Sequence, residues 1–204
     1  MPPLLRRLAD RAFELPFVYR TLQAPFHERK IAPCLQRLTL TAGTRVLDVG
    51  CGPGTNAAHF RQASYTGIDI NPDYIVSAQG RHPGRFVVGD VTDPAVLPDE
   101  QFDVVLLNSL MHHLPDDASH HLLSRLGRRL APGGRLHILD LILPPNPSPA
   151  RLLARLDRGR YARPIEAWRA LFERSMAIEH FAPFPLGVPG VALWEMIYCV
   201  GRAA

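Results

Sequence analysis

The chain is poor in cysteine, has no long apolar run and shows no internal repeat, and each absence removes a class of protein. Its three cysteines, Cys34, Cys51 and Cys199, are few for 204 residues, odd in number and far apart. That spacing excludes a disulfide framework and shows no metal-ligand pattern, so no metal site is expected. Reduced cysteines of this kind point to a cytoplasmic setting. Nothing approaches the roughly 20 consecutive apolar residues that cross a bilayer as a helix, so no membrane partner is expected. Arg6, Arg7 and Arg11 give the first residues a transit-peptide flavour, but Asp10 and Glu14 interrupt it and no apolar core with a cleavage site follows. Excess charge is also small: a formal net charge of +4 permits an anionic partner without demanding one.

What is present suits one domain, because 47% hydrophobic residues over 204 positions supply a substantial core. From Leu4 to about Leu38 the chain is helical in character. Leu4, Leu5, Leu8, Ala12 and Leu15 share one face, and Pro16, Pro25 and Pro33 cut the run into pieces. Residues 1–40 are therefore expected to form a helical lid. Strands and helices then alternate: a strand at Val46–Val49, a helix over Thr55–Gln62, a strand to Asp69, and a helix opened by Asn71-Pro72-Asp73. Further strands run Arg85–Gly89, Phe102–Leu107 and Arg135–Leu141, with a helix from Pro115 to about Leu130 between the last two. That alternation implies a parallel sheet within a core of residues 41–142. A proline-rich linker leads into two helices, Ala150–Arg158 and Ile165–Arg174, in a substrate-side insert over 143–175. Two closing strands, Ala177–Phe184 and Ala192–Val200, joined by Pro185–Gly190, form a hairpin over 176–204.

The organising stretch is Val46-Leu47-Asp48-Val49-Gly50-Cys51-Gly52-Pro53-Gly54, a buried strand handed to a helix through open backbone. In an open α/β sheet a nucleotide-like ligand binds there, at the carboxyl ends of the strands. Acids mark successive strand ends: Asp48, Asp69 and Asp90. A carboxylate placed like Asp69 accepts both hydroxyls of a ribose, and Asp90 is placed for an adenine amino group. Each acid taken singly also reads as a cap or turn residue. The glycines do not keep the G-x-G-x-x-G spacing of a dinucleotide loop. Asp48 would repel a pyrophosphate and attract an ammonium or sulfonium charge.

With these motifs on view, the chain resembles a class I S-adenosylmethionine-dependent methyltransferase. The likeness rests on the glycine-rich stretch, on Gly67-Ile68-Asp69-Ile70, on Gly89-Asp90-Val91, on Phe102–Asn108 with Met111-His112-His113-Leu114, and on Leu130–Leu136. It implies a Rossmann-like, mostly parallel seven-stranded sheet in the order 3-2-1-4-5-7-6, its last strand antiparallel, with helices on both faces. It implies S-adenosyl-L-methionine as methyl donor and S-adenosyl-L-homocysteine as product. Gly50, Gly52 and Gly54 would let backbone approach the methionyl part, and Asp48 and the main chain at Asn108 would address its ammonium group. Asp69 would hold the ribose, Ile70 would pack on the adenine, and Asp90 and Val91 would meet its edge. Tyr19, Arg29 and Lys30 are the candidates for the methionyl carboxylate. A sulfonium is already a strong methyl donor, so alignment in a dry pocket is the main task. Where the nucleophile starts protonated, His112 or His113 with Asp140 would orient and deprotonate it.

A small-molecule acceptor carrying an O, N or C nucleophile is the expected substrate. Arg151, Arg155, Arg158, Arg160 and Arg163 raise an RNA methyltransferase as the alternative, although a solvated helix face accounts for them and nucleic acid is not expected. A methyltransferase-like binding protein without transfer activity is the alternative outside the enzymes.

Overall fold

The structure, a computed structural model, describes residues 24–203. Seven strands form one sheet: β1 (Arg45–Val49), β2 (Ser64–Asp69), β3 (Arg85–Val88), β4 (Phe102–Asn108), β5 (Leu130–Ile142), β6 (Ala177–Val188) and β7 (Val191–Arg202). Their order is β3-β2-β1-β4-β5-β7-β6. The first five run parallel, and β7 lies antiparallel to both β5 and β6. The helices are α1 (His27–Leu35), α2 (Pro72–Gln79), α3 (Asp116–Gly127), α4 (Pro149–Leu156) and α5 (Ile165–Ser175).

Alternation along the central strands divides the core in two. On one face Leu47 and Val49 of β1, with Val105 and Leu107 of β4, pack with α3 and α5 through Leu122, Leu126, Trp168 and Phe172. On the other, Val46 and Leu106 pack with Ile31 and Cys34 of α1 and Ile75 and Ala78 of α2. Asp48 follows Val46 in this alternation and is completely buried on the α1 side. Both faces of β1 and β4 are covered, which is why these strands read as continuous apolar runs. The segment expected as a lid thus contributes core residues from Ile31 onward. Residues 1–23, Tyr19 among them, lie outside the described residues.

Three local expectations are corrected. The helix expected over Thr55–Gln62 is a 3-10 turn over Thr55–Phe60 that begins after Gly54 at φ 79° without a side-chain cap. Six residues between a left-handed glycine and the turn into β2 leave no room for an α-helix of useful length. The hairpin strands are longer than expected, so that only Pro189 and Gly190 connect β6 to β7. Pro183 and Pro185 lie inside β6, which tolerates them as an edge strand. The Ala131–Gly134 stop signal sits in the irregular start of β5, where its pairing with β4 shifts register.

Candidate active site

The glycine-rich loop leaves β1 with Gly50, Gly52 and Gly54 all at positive φ. Gly52 is the informative one: at φ 54° a side chain would be strained, yet a Cβ would meet nothing within 4 Å. Backbone conformation reserves the position, and the space beside it is open. Gly52 N–H donates to Asp69 Oδ2 at 2.8 Å and Asn71 N–H to Asp69 Oδ1 at 2.9 Å, so Asp69 fixes the loop against the end of β2. Each of its oxygens keeps a further lone pair. Beside it Ile70 is 66% exposed, an apolar side chain presented at a strand end.

Beneath the loop a buried polar chain joins β1 to β4. Tyr65 Oη–H donates to Asp48 Oδ2 at 2.6 Å, Asn56 Nδ2 donates to the same oxygen at 2.9 Å, and Asn108 Nδ2 donates to Asn56 Oδ1 at 3.0 Å. Two buried acceptors, Asp48 Oδ1 and Asn108 Oδ1, have no partner among the described residues. Buried polar atoms are rarely left so, and two orphaned acceptors on adjacent strands suit a cationic donor. Burial pushes the Asp48 carboxyl up to about 6 against the opposing hydrogen bonds of Tyr65 and Asn56.

The second half of the site lies past β4. Ser109 adopts φ 58°, uncommon for a residue with a side chain, and its N–H donates to Leu139 O at 2.8 Å. Lys30 Nζ reaches from α1 to donate to Ser109 Oγ at 2.5 Å. Asp140, near the end of β5, is completely buried and accepts from Met111 N–H, from Leu141 N–H and from His112 Nδ1 at 2.6 Å. The other ring nitrogen of His112 stands 3.1 Å from Asp157 Oδ1. Burial alone would lower the His112 pKa, but Asp140 and then Asp157 outweigh it and hold the imidazole at about 9. His112 is therefore an imidazolium clamped between two carboxylates, not a free base. His113 packs tilted against it, with ring centroids 4.2 Å apart and an interplanar angle of 39°, and its outer edge is exposed. Burial of its inner face and the His112 charge push its pKa down to about 4.

Asp157, which lines the pocket, went unnoticed in the sequence, and Arg163, which braces the loops behind it, read there only as one of five arginines. The loop after α4 folds over His112: Gly159 N–H donates to Asp157 Oδ1 and Tyr161 N–H to His112 O. Arg163 is buried, pairs with Asp116 at 2.7 Å, donates to Met111 O and Leu114 O, and lies 4.6 Å over the Trp168 ring. The five arginines accordingly do not make one solvated face: Arg163 is a buried staple, and Arg151 donates to Pro144 O. Asp90 is exposed and its Oδ1 accepts from Thr92 N–H and Oγ1–H, the self-contained turn that such an acid also makes. Val91 beside it is buried. Arg29 donates to Gly187 O at 2.6 Å. Lys30, His112, His113 and Asp157 line one pocket, whose apolar wall includes Phe26, Leu186, Trp194 and Met196. Among the described residues, donor atoms of His112, His113 and Asp157 lie within 4.8 Å of one another, close enough for a cation only if His112 yields a proton from its clamp.

A glycine loop, a ribose-type acid and orphaned acceptors on the ends of a 3-2-1-4-5-7-6 sheet place this chain beside known proteins. A family model described as a methyltransferase domain matches residues 46–134. A trans-aconitate 2-methyltransferase of Methylobacterium radiotolerans is 31% identical over 181 residues, 83% of this chain and 67% of that protein. The chain belongs to the class I S-adenosylmethionine-dependent methyltransferases. Another relative, the 27-O-demethylrifamycin SV methyltransferase of Amycolatopsis mediterranei, is 38% identical over 136 residues, 60% of this chain and 47% of that protein. The match to such curated methyltransferases spans about half their length. Among solved structures, a TehB-like methyltransferase from Corynebacterium glutamicum superposes with a TM-score of 0.65 at 21% identity, covering 97% of this chain and 99% of that one, a likeness of fold. Among the described residues no helix is long and apolar enough to cross a membrane.

Proposed function

We propose that the chain transfers a methyl group from S-adenosylmethionine to a small-molecule acceptor by in-line displacement. The observation that carries this reading is the join between the two halves of the site: Asn108 belongs to the cofactor side, and Ser109, the next residue, opens the pocket. When bound, the cofactor supplies an electrophilic methyl on a sulfonium. In this reading Asp48 and Asn108 receive the ammonium group, Gly50, Gly52 and Gly54 allow close backbone approach, and Asp69 takes the ribose hydroxyls. Ile70 packs on the adenine, and Asp90 and Val91 meet its edge. The pocket then aligns the acceptor behind the methyl and keeps water away, which is worth roughly 7–11 kcal/mol in well-oriented reactions. His112 and Asp140 hold the pocket wall, and His113 faces the acceptor. The relatives support a small acceptor: one is named for trans-aconitate, another for 27-O-demethylrifamycin SV.

Titration calorimetry with S-adenosylmethionine tests this. Saturable binding is expected, and no heat at millimolar cofactor would sink the reading. Asp69→Ala is expected to weaken binding about tenfold or more, the value of one to two hydrogen bonds to a charged group, while the protein still unfolds cooperatively. Unchanged affinity would contradict the ribose assignment.

A further inference from the structure

The pocket contains an ammonium group, that of Lys30, with no direct ion pair among the described residues. Lys30 is the only lysine in a chain with 23 lysine and arginine residues in all. It is half-buried and lines the pocket. Among the described residues its ammonium makes no ion pair, and its recorded hydrogen bond goes to a neutral hydroxyl, Ser109 Oγ. The two carboxylates that line or back the pocket are already engaged: Asp140 by His112 and two backbone amides, Asp157 by His112 and Gly159 N–H. A desolvated ammonium with unused donors costs free energy until an anion meets it. Burial accordingly pushes its pKa down to about 8, against the more distant charges of Asp140 and Asp157.

We infer that the acceptor is a small carboxylic acid with an apolar body, its carboxylate anchored by Lys30 and its body seated on Phe26, Leu186, Trp194 and Met196. This rests on the methyltransferase reading above and names its substrate class. The protonation of the pocket points the same way. His112 has both ring nitrogens on carboxylates and takes no further proton, and His113, pushed down to about 4, is a weak base. An alcohol or an ammonium would need a base to become a nucleophile, whereas a carboxylic acid is already ionised at neutral pH. One carboxylate oxygen forms a bond to the methyl carbon while the carbon–sulfur bond breaks and its electron pair stays on sulfur. A carboxylate and a sulfonium become a neutral ester and a neutral thioether, with no proton to place. The ester has lost the charge that Lys30 held, which favours its release.

The test uses the whole chain, methyl-tritiated S-adenosylmethionine and a deproteinised cell extract. The expected product carries label that mild alkali releases as tritiated methanol, the mark of a methyl ester. Alkali-stable label, or no labelled product from protein that binds the cofactor, would overturn the acid acceptor while leaving cofactor binding intact. Lys30→Met is expected to raise KM for the isolated acid at least tenfold while calorimetric affinity for S-adenosylmethionine stays within twofold. Lys30→Arg, which keeps the charge, is expected to recover part of the loss. Cofactor affinity falling tenfold in Lys30→Met, with its thermal melt unchanged, would assign Lys30 to the methionyl carboxylate instead and overturn the anchor. Absence of cofactor binding in the unmodified chain would be a failure of the methyltransferase reading itself.

Discussion

Asp140→Ala is expected to cost about 3–5 kcal/mol of folding stability, read as a lowered midpoint in urea unfolding. Asp140 is completely buried and is the closer of the two carboxylates that compensate the His112 imidazolium. Its removal leaves that charge with Asp157 alone and strips Met111 N–H and Leu141 N–H of their acceptor. A loss below about 1 kcal/mol would mean that the clamp carries little. The same clamp fixes the pH dependence. His112 is held at about 9, above its ordinary 6.5, so its contribution is fully present below pH 6.5 and disappears as pH rises through 9. Asp157 is depressed from 3.8 to about 2 and adds an acid arm, lost as pH falls through 2. The clamp's own contribution is expected to be level between these arms. In Asp140→Ala the alkaline arm should flatten, and an alkaline fall as steep as in the unmodified chain would place its origin elsewhere.

Gly159→Ala is the second substitution with a large expected effect, for a steric reason. A Cβ there would stand 1.9 Å from His112 Cδ2 and 2.7 Å from His112 O. The imidazole cannot step aside, because both its nitrogens are held, and the carbonyl already accepts from Tyr161 N–H. Either the loop lifts or the ring leaves Asp157. Overpacking of this kind costs about 1–3 kcal/mol, and the His112 pKa, followed by NMR, should fall as Asp157 withdraws. Near-normal stability together with an unmoved His112 titration would show that the loop relaxes freely.

Much of the fold was legible in the sequence because the covered central strands force unbroken apolar runs and the parallel connections force alternation. Gly50–Gly54 and Asp69 were legible for a related reason: a loop at a strand end is built from residues close in sequence. Local sequence could not separate Asp69 from Asp90, since each is an acid following a strand. The structure separates them, giving Asp69 a backbone donor from the glycine-rich loop, Gly52 N–H, besides that of Asn71, and Asp90 only a turn of its own. His112 showed its residue type but not its charge, which depends on carboxylates 28 and 45 positions away. Arg163 read as one of five surface cations, yet its partner Asp116 lies 47 positions upstream and the aromatic ring beneath it comes from α5. Lys30 was one of three candidates for a methionyl carboxylate; its reach to Ser109 depends on how α1 packs, which no spacing within the helix records.

Strand β6 carries a consequence for how copies of this chain meet. An open sheet edge invites a strand from another molecule, because its outward amides and carbonyls form a ready ladder. Pro183 and Pro185 supply no amide, and prolines in a sheet take edge positions with the nitrogen facing outward. The register breaks near Ile178 and Leu186 bend the same edge at either end of the pair. An incoming strand would find two donors missing and a ladder of changing pitch. The longer border of the sheet is thereby a poor template for an added strand, while its pairing with β7 is kept.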